Sequence, residues 1–223
     1  MYKMTKRFDT FIFDWDGTLR DMSTLHKLNA TFNPHWNYKK LKSLENYKKR
    51  PMAQKQIKSS KGLALYRREI KNAYKVEKSV GTFFIDVALM FVKPRMHRYA
   101  REVLVELNKK EMNVALFTDG AKYRVLGELH RLKAENYFDI ILSAQSIRRL
   151  KPDPSGLEII IDALGARKSS TIYFGDMVDD IITAREAGIC SAAMGNGFSG
   201  INLLKSKNPD YVFTSMEELF RKL

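Results

Sequence analysis

The stretch Phe8-Asp9-Thr10-Phe11-Ile12-Phe13-Asp14-Trp15-Asp16-Gly17-Thr18 decides how the rest of the chain reads. Bulky apolar side chains run without polar alternation into a carboxylate, the pattern of a strand covered on both faces. A second carboxylate follows two residues later, and then a glycine that permits a tight turn. Two acids just beyond a buried strand make a dense negative site that calls for a cation. Mg²⁺ suits such a place, because it binds through one or two carboxylates plus phosphate oxygens and water.

Further apolar runs repeat the strand signal downstream. Asn113–Thr118, Asp139–Ser143, Thr171–Phe174, Cys190–Met194 and Tyr211–Thr214 read as short strands. Helical patterns lie between them, over Met96–Glu111, Lys122–Glu135, Pro154–Leu164 and Asp180–Ala187. This alternation predicts an α/β fold, a doubly wound parallel sheet with helices on both faces. Ligands of such sheets bind beyond the carboxyl ends of the strands. The loops DWDGT, TDGAK, RLKPDP and FGDMVDD are expected to converge there.

The net charge of +14 is unevenly spread over the 223 residues. Residues 1–19 hold three basic and three acidic side chains, and residues 96–223 hold 18 and 17. Residues 20–95 hold 18 basic against five acidic side chains. That step in composition marks a separate module. Its apolar residues follow a helical period, as in Leu63-Ala64-Leu65-Tyr66…Ile70…Ala73-Tyr74, and no strand alternation appears. We expect a small α-helical domain over 20–93, inserted into a core formed by 1–19 and 94–223, with hinges near Leu19–Asp21 and Lys93-Pro94. The basic charge allows three roles: a solvated face, a surface that steers an anionic substrate, or a nucleic-acid surface. No nucleic-acid-binding motif accompanies it, so a nucleic-acid partner is not expected.

Other functions are excluded by composition. The single cysteine, Cys190, rules out an internal disulfide or a cysteine-based zinc site, and reads as a small buried hydrophobe. His26, His35, His97 and His130 lack metal-ligand spacing. Neither a secretory signal nor an apolar run of membrane-spanning length is visible, so a soluble, cytoplasmic protein is expected.

The chemistry gathers in the strand-end loops. Gly175-Asp176-Met177-Val178-Asp179-Asp180 supplies more acids for the cation, Thr118 a hydroxyl, and Gly120 a backbone amide. Lys151, held in the stiff Lys151-Pro152-Asp153-Pro154 loop, is placed to neutralise phosphate. Carboxylate, magnesium, hydroxyl and lysine together suit phosphoryl transfer.

These four stretches, DWDGT at 14–18, FTDG at 117–120, KPDP at 151–154 and GDMVDD at 175–180, resemble in order the signature motifs of the haloacid dehalogenase superfamily. The resemblance spans nearly the whole chain and points to the phosphatase branch, nearest the phosphoglycolate phosphatase group. It implies a Rossmann-like core with an inserted helical cap. It further implies that Asp14 is a nucleophile forming an aspartyl-phosphate, and that Asp16 is a general acid and then base. Mg²⁺ would be held by Asp14, the backbone carbonyl of Asp16, Asp176 and Asp180. Phosphate would be bound by Thr118, Lys151 and the Gly120 amide. The second aspartate speaks against dehalogenation. The substrate implied is a small-molecule phosphate ester. A phosphomutase of the β-phosphoglucomutase type shares the same aspartate pair, and a basic nucleic-acid-binding protein with a vestigial phosphatase core is the remaining alternative. Asp119 departs from the neutral residue many relatives carry, and must point away from phosphate or meet a basic group such as Lys122. Trp15 is expected to pack under the cap, with a role as a substrate platform left open.

Overall fold

In the computed structural model, which describes residues 7–23, 89–147 and 149–223, the sheet has six parallel strands. They are β1 (Thr10–Phe13), β2 (Asn113–Phe117), β3 (Ile140–Leu142), β4 (Thr171–Gly175), β5 (Cys190–Met194) and β6 (Tyr211–Phe213). Their spatial order is β3-β2-β1-β4-β5-β6. The chain winds one way from β1 through β2 to β3, and the other way from β4 to β6. Its switch point therefore lies at the carboxyl ends of β1 and β4, where such sheets open a crevice.

Alternate strand residues separate two apolar layers. Phe11, Phe13, Val114, Leu116, Ile172 and Phe174 face one side and join residues of α1 (Ala100–Lys109) and α2 (Lys122–Leu132). Ile12, Ala115, Phe117 and Tyr173 face the other and join α3 (Ser155–Leu164) and α4 (Val178–Ala187). This is the two-sided burial that the unbroken apolar strands demand. Two short helices, α5 (Ile201–Lys205) and α6 (Met216–Phe220), complete the described core.

The expected helix start at Met96 lies four residues too early. Met96 bridges Arg20 in antiparallel fashion, and the His97 N–H donates to the Leu19 carbonyl at 2.9 Å. The Asp21 N–H donates to the Arg95 carbonyl at 2.8 Å. Tertiary pairing thus holds this stretch extended, and Tyr99 turns through a left-handed conformation (φ 66°) before α1 begins. The same bonds form a neck in which Leu19–Asp21 and Arg95–His97 run side by side. The helices expected within 24–88 lie outside the described residues, as do His26 and His35.

Candidate active site

β1 delivers Asp14 to the switch point. The Asp14 N–H donates to the Phe174 carbonyl at 2.9 Å, which fixes its backbone between β1 and β4. Asp176 follows β4 directly. Asp180 sits in the first turn of α4, where its Oδ2 accepts the Met177 N–H at 2.9 Å. It therefore caps the helix and still offers its other oxygen to the site. One carboxylate oxygen from each of Asp14, Asp176 and Asp180 lies within 4.8 Å of the others, and all three residues are buried. No other such group occurs among the described residues.

Among the described residues, a single lysine faces this cluster. Lys151 Nζ stands 3.0 Å from Asp14 Oδ1, 2.6 Å from Asp180 Oδ1 and 3.1 Å from the Tyr173 hydroxyl. Burial disfavours its charge, but the carboxylates of Asp14 and Asp180 win, and its pKa is raised well above the ordinary lysine value. The Tyr173 hydroxyl also lies 3.0 Å from Asp180 Oδ1 and 3.2 Å from the Phe117 carbonyl, so this side chain backs both charged partners.

Asp176 is gripped by its surroundings. The Thr18 hydroxyl donates to its Oδ1 at 2.9 Å and the Phe198 N–H to its Oδ2 at 2.6 Å. The turn after β1 presses close: a Cβ on Gly17 would stand 2.3 Å from Asp176 Oδ2, and Gly17 adopts φ +86°. Only glycine meets both conditions without strain. Asn196 ties the same turn down, its Nδ2 donating to the Gly17 and Thr18 carbonyls at 3.3 and 3.2 Å.

Among the described residues, three carboxylates against one ammonium leave the cluster short of positive charge. Burial raises the Asp14 pKa well above the carboxylate range, with Lys151 pulling it down and Asp180 and Asp176 pushing it further up. Burial and then the Asp180 charge push Asp176 up to about 7. Asp14 Oδ1 is buried, with the Lys151 ammonium at 3.0 Å as its ion-pair partner. An all-oxygen donor set with a charge deficit fits a hard divalent cation.

The remaining expected residues group around this centre. Thr118 follows β2 and is buried, and its Oγ1 accepts the Gly120 N–H at 3.1 Å. That bond must open before the Gly120 amide can serve a ligand. Asp119 Oδ1 accepts the Lys151 N–H at 3.2 Å, so this extra acid helps to set the lysine loop. Asp179 is buried in the first turn of α4 but is not part of the carboxylate cluster. Asp16 stands apart from the three clustered acids, and its carboxylate faces Arg124 and Arg20. Burial opposes its ionisation, yet these two guanidinium groups hold its pKa below the ordinary aspartate value. Trp15 is fully buried in the core, its indole N–H donating to Glu128 Oε2 at 2.7 Å. His97 faces the Gly17 carbonyl and His130 pairs with Glu135, while Cys190 packs half-buried against the core.

Sequence reasoning passed over Tyr173, the Phe198 amide, Arg20, Arg124 and Glu128. Backbone amides carry no side-chain signature. The spacing of Arg124 and Glu128, four apart on the helix after FTDG, was the one legible sign of a charged pair there.

A model of the haloacid dehalogenase-like hydrolase family matches residues 11–194, and the chain belongs to that family. Pyrophosphatase PpaX of Halalkalibacterium halodurans is 30% identical over 118 residues, covering 53% of this chain and 55% of that protein. That match spans about half the length of the relative. Pyrophosphatase PpaX of Oceanobacillus iheyensis is 25% identical over 214 residues, 94% of each chain. Among solved structures, a predicted phosphoglycolate phosphatase from Haemophilus somnus aligns with a TM-score of 0.65 at 21% identity, covering 97% of this chain and 98% of that one. CbbY of Rhodobacter sphaeroides, solved with xylulose-(1,5)bisphosphate, aligns with a TM-score of 0.64 at 15% identity, covering 95% and 96%. At these identities the structural likeness establishes the fold, a haloacid dehalogenase-type Rossmann core. Among the described residues no helix is long and apolar enough to cross a membrane.

Proposed function

We propose that this protein is a Mg²⁺-dependent phosphatase that hydrolyses a small phosphate ester through a phosphoaspartate at Asp14. The observation that carries this reading is the buried cluster of Asp14, Asp176 and Asp180 facing Lys151 at the switch point of the sheet. In the first step an Asp14 carboxylate oxygen bonds to phosphorus as the bond to the leaving oxygen breaks, and Asp16, which must first take up a proton from solvent against the pull of Arg124 and Arg20, supplies that oxygen with it. In the second step Asp16 takes a proton from water, whose oxygen bonds to phosphorus. The bond from phosphorus to Asp14 then breaks, releasing phosphate and restoring the carboxylate. Lys151, Thr118 and the Gly120 amide bind the phosphoryl oxygens. Asp14, Asp176, Asp180 and the Asp16 carbonyl would hold the cation, which neutralises phosphate charge when bound.

Residues 20–93 are assigned to a cap over this site, entered and left through the neck at Leu19–Asp21 and Arg95–His97. Its basic excess then draws in anionic substrate and its closure excludes water. The reading places the enzyme in the cytoplasm.

Phosphoglycolate-like monoesters are the first substrate class. Inorganic pyrophosphate is a second reading, favoured by the names of the PpaX relatives and by Asp16 being held as a carboxylate. A phosphate leaving group departs readily without a proton, so an ionised Asp16 hinders that first step least. The test is phosphate release from phosphoglycolate, pyrophosphate and a sugar phosphate, with and without Mg²⁺, for wild type and Asp14→Asn. Metal-dependent release that Asp14→Asn abolishes supports the reading, and release that survives Asp14→Asn overturns it. Transfer to a second sugar hydroxyl without free phosphate would instead indicate a mutase.

A further inference from the structure

Asp16 belongs to a set of four charged side chains, with Arg20, Arg124 and Glu128 behind it. Arg124 meets the Asp16 carboxylate as a fork: its NH1 donates to Oδ1 at 2.9 Å and its NH2 donates to Oδ2. Arg20 NH1 reaches Oδ1 from another side at 3.3 Å. Both guanidinium groups also reach Glu128. Arg20 NH2 lies 3.2 Å from Glu128 Oε1, and Arg124 NH1 lies 3.2 and 3.1 Å from Oε1 and Oε2. The Trp15 indole N–H completes the shell of Glu128 at 2.7 Å.

Exposure orders this set. The side chains of Arg20 and Arg124 are 2% exposed and that of Glu128 is 0%, while that of Asp16 is 21% exposed. The network is therefore buried scaffolding with a single carboxylate at its mouth. Gly120 makes room for it: a Cβ there would stand 2.5 Å from Arg124 NH2 and 3.3 Å from Asp16 Oδ2. Three separate segments converge on Asp16 in this way, namely the neck through Arg20, α2 through Arg124 and Glu128, and the FTDG turn through Gly120. Buried ion pairs cost desolvation that well-packed apolar side chains avoid, so stability alone is a weak reason for four of them.

The geometry points to Arg124, with Arg20 and anchored by Glu128, as the positioning residue that fixes the direction of the Asp16 carboxylate for proton transfer. A bidentate fork sets both the plane and the direction of a carboxylate, which a single lysine contact does not. This inference rests on the acid–base role proposed for Asp16. In it Arg124 touches neither substrate nor cation and acts through Asp16 alone.

The test compares wild type, Asp16→Asn, Arg124→Lys, and the double variant Arg124→Met/Glu128→Gln, whose buried set stays neutral and is chosen to fold. Each is assayed on p-nitrophenyl phosphate, whose leaving group departs without a proton, and on an alkyl phosphate, whose leaving group needs one. The double variant is expected to lose about 10- to 100-fold in kcat on the alkyl phosphate with little change in KM. It should accumulate phosphoenzyme from p-nitrophenyl phosphate, because breakdown also needs Asp16. Arg124→Lys keeps the charge without the fork and should recover only part of the rate. Equal losses on both substrates with no phosphoenzyme would mark a merely structural role and overturn the inference. So would full rescue by Arg124→Lys. Wild-type rates in the double variant beside a slow Asp16→Asn would overturn the positioning role alone, whereas wild-type rates in Asp16→Asn would remove the acid–base reading beneath it.

Discussion

Removing divalent metal should make the stability of this protein fall steeply as pH rises from about 4 towards neutrality. Asp14, Asp176 and Asp180 share one buried site with Lys151 as their facing ammonium, and the folded Asp176 carboxyl titrates at about 7 against an ordinary 3.8. A carboxyl raised in this way stabilises the fold fully below its unfolded value, and that contribution is lost as pH rises through the folded value. About three pH units at about 1.36 kcal/mol each give roughly 4 kcal/mol, lost between about pH 4 and pH 7. For a chain of this size that is roughly 8 to 16 °C in melting temperature. Thermal melts in EDTA across this window read the effect, and the same melts in Mg²⁺ should be nearly flat, because the cation supplies the missing positive charge. Asp14→Asn removes another raised carboxyl from the cluster and should flatten the EDTA curve in part. A melting temperature in EDTA that is flat across the window would refute the charge deficit. A slope that neither Mg²⁺ nor Asp14→Asn reduces would refute its assignment to this cluster.

Three further substitutions probe the same framework. Lys151→Met strips the cluster of its facing ammonium and should cost about 3 to 5 kcal/mol in EDTA, with Mg²⁺ raising the melting temperature by more than in wild type; paired melts with and without metal decide it. Gly17→Ala forces a Cβ within 2.3 Å of Asp176 Oδ2 at φ +86°. It should cost about 1 to 3 kcal/mol and shrink the Mg²⁺-induced rise in melting temperature. Tyr173→Phe deletes the hydroxyl shared by Lys151, Asp180 and the Phe117 carbonyl, and urea titration should show a loss of about 1 kcal/mol without unfolding the core.

The parts of the fold legible from the sequence were those written in side-chain pattern. The strand after Phe8 declared itself because both faces are covered, so Phe11, Ile12 and Phe13 are all apolar. The convergence of Asp14, Asp176, Asp180 and Lys151 followed from their places at strand ends, since parallel strands bring all their carboxyl ends to one edge. What escaped was set by tertiary contact. Met96 and His97 carry a helical pattern but are drawn into the neck by Arg20 and Leu19. The helices α5 and α6 span five residues each, too short to show a period. Arg124 and Glu128 were passed over as charged residues on a helix, yet both are buried where they meet Asp16, Arg20 and Trp15. Asp119 looked like an electrostatic conflict with phosphate, and its carboxylate accepts the backbone N–H of Lys151.

The central claim is that Asp14 carries the phosphoryl group. A rapid quench of the enzyme turning over radiolabelled substrate in Mg²⁺, followed by mapping of the labelled peptide, tests it most directly. A transient acyl-phosphate is expected on the peptide containing Asp14, sensitive to hydroxylamine and missing in Asp14→Asn. Steady phosphate release from wild type with no covalent label, or with label on another residue, would contradict it.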